Sequence, residues 1–168
     1  MSKELAPQSH LQLSLRVMQD HIWRKVAPDI TGSDNERLRF IIQFIHDCYR
    51  ARAALAVGDF YSRMENFHDL SLPTIKTQLS RVCDFDYAVL KADPSDRRVR
   101  RVCSTRKAIR AMRDAEKLTL LGIQFLTNRH GGLLCDVEES MMETFFDEIA
   151  YDVADVINQE RGRRKTNG

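Results

Sequence analysis

The chain has 168 residues, 43% apolar and 30% charged, the make-up of one ordinary soluble domain. Seven glycines and four prolines are too few for a collagen-like, low-complexity or turn-dense sandwich chain. No stretch of about eighteen residues is apolar enough to span a bilayer and the N-terminus lacks a signal-peptide core, so a cytoplasmic protein without a membrane partner is expected.

Net charge is only +2, but the charge is segregated. Seven basic residues (Lys91, Arg97, Arg98, Arg100, Arg101, Arg106 and Lys107) face only Asp93 and Asp96 between positions 91 and 107. From Gly131 to Glu160 there are nine acidic residues and no Lys or Arg, and Arg161, Arg163, Arg164 and Lys165 then make a basic tail. A concentrated basic stretch in a near-neutral chain suits contact with a polyanion at one surface.

Residues 1–9, with Pro7, read as a flexible arm. Leu11, Leu15, Met18, Ile22 and Val26 recur at helical spacing, ended by Pro28 and Gly32, with Trp23 beside the stripe as core or interface packing. Ser33 and Glu36 have capping-box spacing for a second helix through Leu38, Ile41, Ile42, Ile45, Cys48 and Tyr49 to about Ala56. Gly58-Asp59 starts a shorter helix with Phe60, Tyr61, Met64 and Phe67 on its apolar face.

After a turn at 68–71, Ser71 can cap a helix with Pro73 in its first turn. Leu72, Ile75, Leu79 and Val82 take one face; Thr74, Thr77, Ser80 and Arg81 take the other, flanked by Lys76 and Gln78. A small-polar, basic outer face is one that the major groove of DNA accepts, although many solvated helix faces look the same. Phe85, Tyr87 and Val89 alternate as a strand, and Val99 to Cys103 reads as its partner across a polar, Pro-containing turn. Thr105 can cap a long helix carrying Ile109, Met112, Leu118, Leu121 and Phe125, broken near Gly131-Gly132. Met141, Met142, Phe145, Phe146, Ile149, Val153, Val156 and Ile157 stripe a last, acidic helix. The fold class is mainly α with a small β-hairpin: helix-turn-helix plus basic hairpin, the order of a winged helix.

Enzyme chemistry has no support, because the five histidines are scattered and no phosphate-cradling or nucleophile motif occurs. Cys48, Cys83, Cys103 and Cys135 lack metal-ligand spacing and read as small hydrophobes. The carboxylates at Asp136, Glu138, Glu139 and Glu143 lack a specific cation spacing, so neither metal nor cofactor is expected.

Over residues 70–108 the sequence resembles the MarR family of winged-helix transcriptional regulators. Asp93-Pro94-Ser95-Asp96-Arg97-Arg98 matches the family's Asp-Pro-x-Asp-Arg-Arg, and Leu70-Ser71, Thr74-Ile75 and Arg81-Val82 match its recognition-helix pattern in register. Asp86 and Ala108 stand where the family usually has glycine, and Ser104-Thr105 where it has Leu-Thr. The resemblance implies one domain over 1–168, with N-terminal helices at 10–56 and a winged helix-turn-helix lobe at 57–104. C-terminal dimerisation helices would follow at 105–160 and a flexible basic tail at 161–168. It also implies a homodimer on a pseudo-palindromic operator of double-stranded DNA, repressing, and released by a small aromatic or acidic effector. On this reading Ser71, Thr74, Lys76, Thr77, Arg81, Arg97, Arg98 and Arg100 meet DNA, and Asp93 pairs with Arg97 to brace the wing. The competing reading is a helical interaction module of the same fold that has lost DNA reading and works through its acidic C-terminal face.

Overall fold

The computed structural model describes residues 7–30, 35–68, 70–131, 137–138 and 140–148, with side chains from residue 12 onward except at 67 and 68. Residues 1–6, Gly32, the Ser33 cap, Gly132, Cys135, Asp136, Glu139, the apolar positions from Ile149 onward and the basic tail lie outside the described residues.

The helices are α1 (Pro7–Val26), α2 (Asn35–Arg50), α3 (Val57–His68), α4 (Leu72–Asp84) and α5 (Arg106–His130), with a further helical stretch, α6, at 140–148. Between α4 and α5 stand the antiparallel strands β1 (Ala88–Ala92) and β2 (Arg100–Ser104), in register from Ala88 opposite Ser104 to Ala92 opposite Arg100. This is the mainly helical, winged helix-turn-helix order that the sequence pattern predicts.

Contacts divide the chain into two compact units, Trp23–Lys117 and Met1–Ile22 with Leu118–Gly168. The first holds α2, α3, α4 and the hairpin. Its core joins Leu38, Ile41, Ile42 and Ile45 of α2, Phe60 and Met64 of α3, Ile75, Leu79 and Val82 of α4, and Tyr87, Ala88 and Val102 of the hairpin. The apolar spacing of α4 explains its seat, since positions three and four apart share one helix face. Truncating the fully buried Ile75 to Ala would cost about 2–5 kcal/mol. The sequence boundary at 57 groups α2 with the N-terminal helices, but α2 packs on α4 and β2.

Two helix ends differ from the sequence reading. Residues 7–9 belong to α1 rather than to a loose arm. The second helix stops at Arg50, not near Ala56. Ala53 N–H bonds the Cys48 carbonyl (2.9 Å) and Arg52 N–H bonds the Tyr49 carbonyl (3.0 Å), with Arg52 left-handed at φ 54°. That is a Schellman ending built on arginine where glycine is usual. It releases Ala54, Leu55 and Ala56 to run beside β2: Val102 N–H donates to the Leu55 carbonyl at 2.9 Å, and Ala56 bridges Arg101.

In the second unit Met18 and Ile22 of α1, Leu126 of α5, and Met142 and Phe145 of α6 are buried. Gly122 permits the close approach, because a Cβ there would meet the Met18 sulfur at 2.9 Å. Phe125 and Phe145 pack with ring centroids 5.5 Å apart, and Arg129 pairs with Glu148 at 2.7 Å. Leu13, Leu120 and Leu121 are exposed apolar side chains of this unit. No described helix is long and apolar enough to cross a membrane.

Candidate nucleic-acid interface

The outer side of α4 carries Lys76, Thr77 and Ser80 exposed, with Thr74 and Arg81 half-buried. Ser71 takes the N-cap backbone conformation (φ −67°, ψ 145°) but makes no side-chain cap; its hydroxyl pairs with Thr74 Oγ1 at 2.8 Å. Thr77 Oγ1 donates to the Pro73 carbonyl at 3.0 Å. The Lys76 ammonium lies 5.8 Å from the Tyr61 ring centroid, within cation–π range. Gln78, expected at the flank of this face, is instead buried. It stands three residues after Ile75 and four before Val82, so it shares their stripe.

The α4 helix ends in a second Schellman motif. Tyr87 N–H bonds the Val82 carbonyl at 3.0 Å and Asp86 N–H bonds the Cys83 carbonyl at 2.9 Å, with Asp86 left-handed at φ 60°. Aspartate therefore holds the backbone conformation for which glycine is the usual choice. Thr105 locks the same corner: its hydroxyl donates to the Asp86 carbonyl at 2.6 Å and accepts from the Ala108 N–H at 3.2 Å, capping α5.

Beneath the corner lies a polar knot. The Tyr87 hydroxyl donates to Asp29 at 2.6 Å; Lys107 bonds the other Asp29 oxygen, reaches the Phe85 carbonyl at 2.7 Å and lies 4.4 Å from the Tyr87 ring centroid. Burial raises the Asp29 carboxyl, but the bonds from Lys107 and Tyr87 outweigh it and leave the group below its ordinary value. Burial, and then the bond to Asp29, push the Tyr87 phenol well above its ordinary range. These groups fix the exit of α4, the start of the hairpin and the start of α5 against each other.

At the base of the hairpin's turn Asp93 is buried, and its partner is Arg101, not Arg97. Arg101 Nε donates to one Asp93 oxygen while Nη1 donates to the Ala54 carbonyl at 2.6 Å. The other oxygen accepts from the Ser95 amide at 2.7 Å and the Ser95 hydroxyl at 2.5 Å. The Ser95 bonds, with Arg101 after them, hold the Asp93 carboxyl well below the usual carboxylate range. Arg101 sits on β2 directly across from Lys91 and beside the Ala54 segment, whereas Arg97 belongs to the exposed turn. In the turn itself Arg98 N–H bonds Asp96 at 2.9 Å, and Val99 N–H bonds the Asp96 carbonyl at 3.0 Å.

The seven cations between 91 and 107 thus divide. Arg101 and Lys107 are committed to Asp93 and Asp29, and Lys91, Arg97, Arg98, Arg100 and Arg106 are exposed. Arg101, Lys107, Asp29 and Tyr87 are the structural residues that the sequence reading missed. One signal was available for Arg101: adjacent strand residues point to opposite faces, so Arg100 and Arg101 cannot share one role. Burial also raises the Cys48 and Cys83 thiols above their ordinary value.

Several solved structures similar to this chain are MarR-type transcriptional regulators. A transcriptional regulator from Thermotoga maritima, Tm0710, is 16% identical, covering 93% of this chain and 97% of its own at a TM-score of 0.49. A MarR transcriptional regulator from Methanosarcina mazei is 19% identical, covering 89% of this chain and 96% of its own at 0.45. A mutant of MepR from S. aureus, bound to an oligodeoxyribonucleotide, is 14% identical, covering 91% of this chain and 99% of its own at 0.49. No protein-family model and no curated protein matches the chain.

Proposed function

We propose that this chain is a sequence-specific, DNA-binding transcriptional regulator. The observation that carries the reading is the pairing, in one compact unit, of an exposed polar helix face on α4 with a rigidly based hairpin whose cations remain exposed. Ser71, Thr74, Lys76, Thr77 and Arg81 would face base edges in the major groove. Arg97, Arg98 and Arg100 would take phosphates or a narrow minor groove. Asp93 serves the wing through Arg101.

The working form is a homodimer, so that two α4 helices meet successive major grooves of a pseudo-palindrome. Exposed Leu13, Leu120 and Leu121 are the apolar surface offered for that contact. Repression in the cytoplasm and release by a small aromatic or acidic effector complete the reading on the strength of the MarR resemblance.

Binding of the full-length protein to a random-sequence duplex across a salt series tests it. Log affinity should fall linearly with log salt, by about 0.9 per phosphate neutralised. Absence of binding at low salt would overturn the reading. Sedimentation equilibrium tests the assembly, since a monomer at micromolar concentration would exclude the dimer.

A further inference from the structure

A threonine on a DNA-facing helix can present either a hydroxyl or a methyl to a base edge, and the rotamer decides which. Thr77 is exposed in the middle of the outer side of α4. Its Oγ1 is turned back along its own helix, donating to the Pro73 carbonyl at 3.0 Å. The hydroxyl proton is therefore spent within the helix. Because Oγ1 and Cγ2 share the same Cβ, fixing one fixes the other in a different staggered position. The preceding hydroxyls are likewise turned to each other, Ser71 Oγ to Thr74 Oγ1 at 2.8 Å. At the middle of the face the Thr77 hydroxyl proton is thus spent within the helix, which leaves the Cγ2 methyl as the group this residue offers to a partner.

We propose that Thr77 is a specificity-determining residue that reads the C5-methyl of a thymine in the major groove through Cγ2. The inference rests on the DNA-reading function above. Thymine is the base whose major-groove edge carries a methyl, and apolar contact with it needs no donor from the protein. Pro73 has a second part in this: lacking an N–H and held in the first turn of α4, it supplies the carbonyl that orients Thr77.

The test begins with selection of a preferred duplex from a random library by the full-length protein. Thymines in that duplex are then replaced one at a time by deoxyuridine, which removes the methyl alone. Binding is measured for the native chain, Thr77→Val, which keeps the methyl, and Thr77→Ser, which keeps the hydroxyl. The native chain and Thr77→Val should lose about fourfold in affinity at one deoxyuridine position per half-site. Thr77→Ser should bind the thymine duplex about fourfold more weakly than the native chain and ignore that replacement.

Deoxyuridine tolerated at every position by the native chain would overturn the proposal. So would a loss in Thr77→Val with Thr77→Ser unaffected, since the hydroxyl would then be the reader. If no sequence is enriched in the selection, the DNA-reading function itself fails and the proposal falls with it. Enrichment followed by indifference to deoxyuridine would remove this inference alone.

Discussion

The base of the hairpin's turn and its tip use the same residue types to opposite ends. At the base of the turn, Arg101 holds Asp93 and the Ala54 carbonyl at once; at the other end of the strands, Lys107 is held by Asp29 and the Phe85 carbonyl. At the tip, Arg97 and Arg98 stand exposed on a turn closed by its own Asp96, and Arg100 stands exposed beside it at the start of β2. Arg101 also stands directly opposite Lys91, a like-charge pair that Asp93 offsets. A basic run therefore cannot be counted as so many nucleic-acid contacts. Part of it positions the rest, and only the remainder is offered to a partner.

The largest effect should come from cutting the anchor. Arg101→Ala takes the cation from Asp93, which keeps its Ser95 bonds, and frees the Ala54 carbonyl; it should lower Tm by several degrees in a thermal melt. Arg101→Lys should recover only part of this, because a single ammonium cannot fork between two acceptors as a guanidinium does. If both variants melt like the native chain, base and tip do not differ in the way described.

Tyr87→Phe tests the corner above the knot. Removing the phenol takes one hydrogen bond from Asp29 while Lys107 stays, so a loss of about 1 kcal/mol, or about 2–4 °C in Tm, is expected by calorimetry. Two substitutions should act in the other direction. Asp86→Gly and Arg52→Gly each relieve a side chain from the left-handed region, and each should add about 0.5–1 kcal/mol in denaturant titration. No gain at either site would mean that the side chain makes up for the backbone.

The smallest effect is a titration. The folded Asp93 carboxyl lies below its ordinary 3.8, so its contribution to stability is present above that value and is lost as the pH falls through the lower, folded one. The Ser95 amide, which donates to Asp93, is the reporter by NMR. Its shift should titrate at a pH below 3.8, and Arg101→Ala should move the midpoint part of the way back, since the Ser95 bonds remain.

The legible parts of the fold were those fixed by period and by turn chemistry. The spacing of Ile75, Leu79 and Val82 determined which face of α4 is buried, and Asp93-Pro94-Ser95-Asp96 marked the turn of the hairpin. The end of α2 was not legible because it is made with Arg52, a residue that carries no stop signal, in place of glycine. The polarity of Gln78 predicts an outer place, but its spacing from Ile75 and Val82 puts it inside. The Arg101 brace depends on Ala54, 47 residues away, and no local pattern announces a partner at that distance. Lys107, Asp29 and Tyr87 converge from three separate segments for the same reason.

The central claim is that the tip of the hairpin, on its fixed base, is what meets the phosphates. The direct measurement is the salt dependence of duplex binding for the native chain, for Arg98→Ala with Arg100→Ala, and for Tyr87→Phe. The double variant should bind more weakly to every duplex, with a slope of log affinity against log salt shallower by about 1.8, two contacts at about 0.9 each. Tyr87→Phe should keep the native slope. A double variant with the native slope and affinity would contradict the account.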